Sequence, residues 1–416
     1  MRLIVATDDK YLRGRDGSTY SMTVQDYSFW RRYLQVFDEV LVLARVADSL
    51  KDKLGESPAN GPNVSFLPLP TFRGPWQFLR RYRQLNALVK SAVDKADAYI
   101  LRIPGSVATL LWRHLEKNHL SYGVEVIGNP KDALMPGMVK SLLRPAARWH
   151  LTRAQRKQCQ GAVAAAYATQ YYLQQQFPPG CWSTHYSDVE LPEEVIVDEL
   201  VIEARIKRIE DKVKSEQPLR LCYIGSMAQL YKAPDILVEA VAECIKKGMK
   251  LELAMVGDGR FKPCLVEQAR RLGIADYVQF LGRLLYRRNV FDQLDMADIF
   301  VLASWTEGLP RVMVEAMARG APVIGSNVGG VPELLAAEDL VPPGDVQALA
   351  SKIIEVAGNI DRLKRMSILN LETVKRKFTC QIHDQRRLEF YKKIKEQLMP
   401  GIPKFAVNTR NSVTKM

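Results

Sequence analysis

Short runs of Val, Ile, Leu and Ala alternate along the whole chain with longer stretches whose apolar residues recur every three or four positions. In the first half the short runs are RLIVAT (2 to 7), EVLVLA (39 to 44), DAYILR (97 to 102), YGVEVI (122 to 127) and GAVAAA (161 to 166). In the second half they are LRLCYI (219 to 224), LELAMV (251 to 256), YVQFLG (277 to 282), DIFVLA (298 to 303) and APVIG (321 to 325). Runs of this length, apolar on both faces and separated by helical patterns such as PDILVEAVAECIKKG, predict parallel strands covered by helices on both sides. The fold class expected is therefore α/β, with two doubly wound Rossmann-like parallel-sheet domains facing a cleft.

The boundary falls where SDVELPEE gives way to the charged helical stretch EARIKRIEDKVKSEQP, within 187 to 218. This places a first domain at 1–195 and a second at 196–380. An amphipathic helix at 381–398 (QIHDQRRLEFYKKIKEQL) is expected to pack back towards the first domain. Residues 399–416 lack periodicity and read as a disordered tail.

Composition narrows the class. At 416 residues, 47% hydrophobic and 25% charged, the chain suits two globular domains rather than one core or a disordered polymer. No window reaches the run of apolar residues that a spanning helix needs, and MRLIVATDDK reads as a first strand rather than a signal peptide. Six scattered cysteines without a CxxC pair indicate neither a zinc site nor a disulfide framework, and a reducing cytoplasm fits. The net charge of +13 is concentrated in the first half and the last sixty or so residues, leaving the middle near neutral.

Ligands of parallel sheets bind at the carboxyl ends of the strands. In the second half those ends carry Gly225, Gly257, Gly259, Gly282, Gly308, Gly325, Gly329 and Gly330. Tight turns need glycine too, so only their concurrence describes a lined crevice. The sharpest element is WTEGLPRVMVEAMARG. Pro310 suits the first turn of a helix and Gly320 its stop, so the helix N-terminus, a natural anion site for a diphosphate, follows Glu307 and Gly308. Glu315 lies within that helix among Val312, Met313, Val314, Ala316 and Met317, an apolar surround in which a carboxylate needs a partner. Two carboxylates can thus meet the paired hydroxyls of a sugar and a ribose. In YIGSMAQLYKAPD, Lys232 stands near a helix start, where it can neutralise phosphate.

On these residues the second domain resembles the retaining glycosyltransferases of family 4, which have the two-domain GT-B fold. The resemblance is strong over roughly 219 to 345 and only in outline before that. It rests on the motif E-G-[FL]-[GP]-x-x-x-x-E-A, present as Glu307, Gly308, Leu309, Pro310, Glu315 and Ala316. It implies a donor site in which Glu307 faces the transferred sugar, Glu315 the ribose, and Gly308 with Leu309 line the donor. Gly225 belongs to the same site, Lys232 holds the diphosphate as a catalytic group, and Arg283 lies by the nucleobase. Ser226 stands where the family carries arginine, and Ala233 where it carries glycine. The missing cation is then replaced by another basic residue, Arg283 or Arg311, or the phosphate site is weaker. The resemblance further implies a hexose-type sugar, a UDP- or GDP-linked donor, retention, and no cofactor or metal, the leaving diphosphate being stabilised by basic groups and a helix terminus.

The acceptor is expected on the first domain. Its candidates are Asp16 and Gly17, in a flexible loop KYLRGRDGSTYS, and Asn129 and Asp132, in GNPKDA after a strand. Asp16 also suits a plain turn. Two segments mix basic and aromatic residues. Arg73, Arg80, Arg81 and Arg83 are interleaved with Phe72, Trp76, Phe78 and Tyr82, while residues 133 to 187 hold six Lys or Arg, from Lys140 to Lys157, and no Asp or Glu. Such segments suit an anionic membrane or a polyprenyl-diphosphate-linked or glycan acceptor, unless the aromatics are core and the arginines merely solvated. The partners expected are accordingly a nucleotide sugar, that acceptor and an anionic membrane surface, with no nucleic acid. The setting is the cytoplasm, peripheral on the inner face of the cytoplasmic membrane, and the role is surface polysaccharide or glycolipid biosynthesis. The competing readings are a GT-B protein that binds nucleotide sugar or glycan without turnover, and an NAD(P)-dependent oxidoreductase. The second is disfavoured because MVGDGRFKP has only two of the three glycines of a dinucleotide loop.

Overall fold

The computed structural model describes residues 1–22, 25–49, 58–135, 143–189, 191–284 and 287–398. The expected tail at 399–416 and Lys140 lie outside the described residues. The first sheet contains β1 (Arg2–Arg13), β2 (Thr19–Ser21), β3 (Glu39–Asp48), β4 (Val64–Leu69), β5 (Ala98–Ile103), β6 (Gly123–Val126), β7 (Ala164–Tyr167) and β8 (Ser183–His185). The second contains β9 (Leu219–Ile224), β10 (Leu251–Val256), β11 (Val278–Gly282), β12 (Ile299–Leu302), β13 (Val323–Ser326) and β14 (Leu340–Val341).

The order is β4-β3-β1-β5-β6-β7-β8 in one sheet and β11-β10-β9-β12-β13-β14 in the other. Every pairing along both orders is parallel, and among the described strands β2 pairs antiparallel with β1. In each sheet the first strand is central and the order reverses beside it, at β1/β5 and at β9/β12. This is the switch point that opens a crevice at the strand carboxyl ends. The apolar runs become strands because both faces are covered: β5, β6, β7, β12 and β13 are buried at every position. Fully burying each Val, Leu or Ile contributes about 1.5–3 kcal/mol relative to exposure. The expected doubly wound α/β architecture is therefore what the chain adopts.

Two details differ from the pattern reading. The stretch expected as a flexible loop after the first strand is instead the continuation of β1 to Arg13 and a hairpin with β2, in the register Tyr11↔Ser21. Short β4 and β8, at the two edges, were not picked out, since VSFLPL and STH lack a clear apolar run.

The chain crosses between domains twice. Val189 and Leu191 already belong to the core of the second domain. Helix Ile360–Lys377 packs there through Leu363, Met366, Leu371 and Val374. Helix Cys380–Leu398 then returns, placing Phe390, Tyr391 and Ile394 in the core beneath the first sheet. Near that return lies a buried charged group: Arg102 pairs with Glu125 and, at 2.6 Å, with Asp188, while Arg32 reaches Asp188 at 3.0 Å. Glu125 also accepts from Tyr33 at 2.9 Å and Tyr186 at 2.8 Å.

Candidate active site

The loop after β9 brings the first functional groups into place. The Ser226 hydroxyl accepts from the Ala228 N–H at 3.2 Å, which stabilises the turn, and Met227 is buried beneath. A single turn Leu230–Lys232 follows, and then Ala233 at φ 45°, ψ 49°. That left-handed conformation is where the family's glycine would sit without strain, yet alanine holds it, wholly buried. The reversal points Lys232 back across the loop. A Cβ on Gly225 would collide with the Lys232 stem, so glycine there leaves the path open.

Lys232 Nζ lies 2.9 Å from Glu307 Oε1, and the Ser304 hydroxyl donates to the same oxygen at 2.7 Å. Both charged side chains are mostly buried, at 13% and 8% exposure. The Trp305 N–H donates to the Tyr231 carbonyl at 2.8 Å and so ties the two loops together. Pro310 is the N-cap of helix Arg311–Ala318, one residue before the start expected for it. Met313, Val314, Ala316 and Met317 are fully buried, and Glu315 is 9% exposed in their midst.

Several of the crevice glycines serve loop-to-loop packing. A Cβ on Gly329 would overlap the Glu307 carbonyl, and the Gly330 N–H donates to the Gly308 carbonyl at 2.8 Å. A Cβ on Gly257, at φ 139°, would overlap the Gly225 carbonyl. These residues let one backbone loop rest on the next and hold Glu307 and Gly308 from behind. On the β11 side, the exposed Arg283 follows Gly282, and Lys262 Nζ is 3.8 Å from where a Gly282 Cβ would stand. Lys262 was not singled out by motif and joins Arg283 on this edge.

Across the cleft, the first domain presents the loop after β6. Asn129 is buried and caps helix Pro130–Ala133 by accepting from the Lys131 N–H at 2.9 Å. It also donates to Tyr172 Oη at 3.0 Å, which donates to Asp132 Oδ2 at 2.5 Å. Burial raises the Asp132 carboxyl above its ordinary value, against hydrogen bonds from Tyr172 and Thr306 that lower it. Thr306 is the residue before Glu307, so Asp132 lies against the loop that carries Glu307. Gly308 faces the Ile127 carbonyl of the first domain, 3.6 Å from a Cβ built on it.

Asp16 and Gly17 are placed otherwise. Asp16 accepts from the Ser18 N–H at 3.0 Å and Tyr20 Oη at 2.9 Å at the hairpin tip, the turn-forming use of aspartate. A Cβ on Gly17 would meet nothing within 4 Å. Glu333, unremarked in the sequence, bridges the domains: its carboxylate accepts from the N–H groups of Gln170 at 2.6 Å, Tyr171 at 3.0 Å and Tyr172 at 2.7 Å. The run GGVPE after β13 was the available signal.

Residues 218–359 match the family of glycosyl transferases group 1. The chain is 24% identical to protein CapJ of Staphylococcus aureus over 88% of its own length and 90% of the relative. It is 34% identical to a GDP-mannose-dependent monoacylated alpha-(1-6)-phosphatidylinositol monomannoside mannosyltransferase of Corynebacterium glutamicum, over 37% of this chain and 42% of that one. Among solved structures it resembles sucrose-phosphate synthase from Thermosynechococcus elongatus with TM-score 0.70 and 15% identity, covering 95% of this chain and all of the other. The chain has the GT-B fold, and its residues 218–359 match the glycosyl transferases group 1 domain.

Proposed function

We propose that the protein transfers a hexose from a UDP- or GDP-linked donor to a glycan or lipid-linked saccharide, with retention, in surface polysaccharide or glycolipid biosynthesis. The observation that carries the proposal is the Lys232–Glu307 pair, held by Ser304 at the carboxyl edge of β12 and facing the other domain. In this reading the donor diphosphate draws Lys232 away from Glu307 and lies against the N–H groups that begin helix Arg311–Ala318. Glu307 then faces the sugar, the backbone of Gly308 and Leu309 lines it, Glu315 takes the ribose hydroxyls, and Arg283 with Lys262 meets the base side.

The chemistry balances without a metal. An acceptor hydroxyl oxygen bonds to the anomeric carbon as the bond from that carbon to the diphosphate breaks, and the hydroxyl proton passes to a phosphate oxygen. Lys232 and the helix terminus stabilise the charge left on the diphosphate. Asn129 and Asp132 are the acceptor-side groups, because they alone of the first-domain candidates join the catalytic loop, through Thr306. The relative whose name supports a glycolipid product is the phosphatidylinositol monomannoside mannosyltransferase. On this reading the reaction runs in the cytoplasm, at the inner face of the cytoplasmic membrane.

Incubating the protein with UDP- and GDP-sugars and a membrane lipid extract, and measuring nucleotide diphosphate released, tests this. Release that needs both sugar nucleotide and extract is expected. Tight nucleotide binding without release would instead favour the non-catalytic reading, which Ser226, a neutral residue in a phosphate-facing turn, keeps in play.

A further inference from the structure

Helix Arg144–Gly161 carries a groove of about 700 Å³ on its outer side, extending to the loop after β6. It is lined by Lys131, Arg144, Arg148, Arg153, Arg156 and Lys157. The inner face of the same helix packs through Ala154, Gln155, Gln158 and Cys159. No Asp or Glu occurs from 133 to 187. Among the described residues none of the six cations is within ion-pair distance of a carboxylate, Asp132 being close enough only for Arg148 to lower its carboxyl. Arg144 with Arg148, and Arg153 with Lys157, are like charges one turn apart, which destabilises a helix unless an anionic partner compensates. Trp149 stands at the groove 66% exposed, with the Arg153 guanidinium 5.8 Å from its ring centroid.

A second helix, Gly74–Val93, continues the surface: Arg113 lies between them, reaching Tyr82 Oη at 3.4 Å and His150 Nε2 at 3.0 Å. On it Trp76 is 67% and Leu79 54% exposed beside exposed Arg80, Arg81 and Arg83. The structure sorts the aromatics of that segment. Phe72, Phe78 and Tyr82 pack on the core, and only Trp76 faces out. What remains exposed is a lone tryptophan on each helix, one with an aliphatic neighbour, among arginines. That is the composition of a headgroup-level anchor rather than of a base-stacking platform, which needs successive aromatic faces.

We infer that the groove along Arg144–Gly161, with Trp149 as its anchor, docks the protein on a bilayer of anionic phospholipid. Lys131, at its end, is the neighbour of Asp132, so the docked face opens onto the catalytic cleft. The inference does not depend on the transfer reaction, and its test does not measure it.

The test is sedimentation of the full chain with vesicles of phosphatidylcholine alone or with about one-third phosphatidylglycerol. Binding to the anionic vesicles only is expected, falling at least about tenfold between roughly 0.1 and 0.5 M salt. The double variant Arg153→Glu/Arg156→Glu and the single variant Trp149→Ala should each lower partitioning by about tenfold, with thermal melting and nucleotide affinity unchanged. Equal binding to neutral vesicles, or wild-type binding by both variants, overturns the inference. So does an oligonucleotide that displaces the protein from vesicles at equal charge concentration. If charge reversal unfolds the chain, Arg153→Gln/Arg156→Gln carries the same expectation with a loss of about threefold.

Discussion

Replacing Glu307 by glutamine separates two effects that the geometry couples. The carboxylate holds Lys232 at 2.9 Å in a largely buried setting. The bare attraction at that distance is about 6 kcal/mol at an effective dielectric constant near 20, most of it offset by desolvation. The net quantity that matters is the difference between a charge-assisted hydrogen bond, about 1.5–3 kcal/mol, and a neutral one, about 0.5–1.5 kcal/mol. If, as proposed, the donor diphosphate takes Lys232 from this partner, Glu307→Gln should strengthen UDP or GDP binding by about 1–1.5 kcal/mol, or roughly 5–12-fold. On the proposed reading, in which Glu307 faces the sugar, the same change should lower kcat by about 100-fold or more. Isothermal titration of nucleotide diphosphate, alongside steady-state rates, reads both. In a Lys232→Met background the affinity gain should vanish. Unchanged or weaker nucleotide binding by Glu307→Gln would refute the exchange of partners at Lys232, and an unchanged kcat would refute the role of Glu307.

Glu315→Gln should act on the other side of the ledger of donor contacts, weakening nucleotide binding by about tenfold as a doubly accepting carboxylate is lost; titration with UDP and GDP checks it. Ala233→Val puts a β-branched residue at φ 45° and should cost about 2 kcal/mol or more in denaturant unfolding while loosening Lys232, so nucleotide affinity falls too. Burial chiefly, with Arg387 and Arg386 nearby, lowers the His383 imidazole to about 3, and neither ring nitrogen has a hydrogen-bond partner among the described residues. Its folded value lies below the unfolded value near 6.5, so the unfolded chain binds the extra proton. Stability is then full above about pH 6.5 and falls as pH drops towards 3, by about 2 kcal/mol at pH 5. Unfolding curves at pH 7 and 5 should show that loss, and in His383→Phe it should shrink; an unshifted pH dependence in the variant would remove His383 as the cause.

Much of this protein is legible one residue after another. The alternation of apolar runs and helical patterns determines the strands and helices, because covered parallel strands need apolar residues on both faces. The spacing of Glu307 and Glu315, with Pro310 between them, determines a helix that starts at the strand edge. Other decisions belong to the assembled chain. Lys232 and Glu307 are 75 positions apart and meet only because β9 and β12 are neighbours in the sheet. Glu333 reaches backbone groups more than 160 positions away because two sheet edges face each other. The same is true of the arginines and carboxylates gathered near the returning C-terminal helix. Asp16, weighed as either an acceptor ligand or a turn former, closes the hairpin turn, and Gly329 makes room for the Glu307 carbonyl. Periodicity is a local property, written by the burial of each segment's own faces. Which loops touch follows from strand order and domain placement, and those arise from packing between segments that carry no local mark of one another.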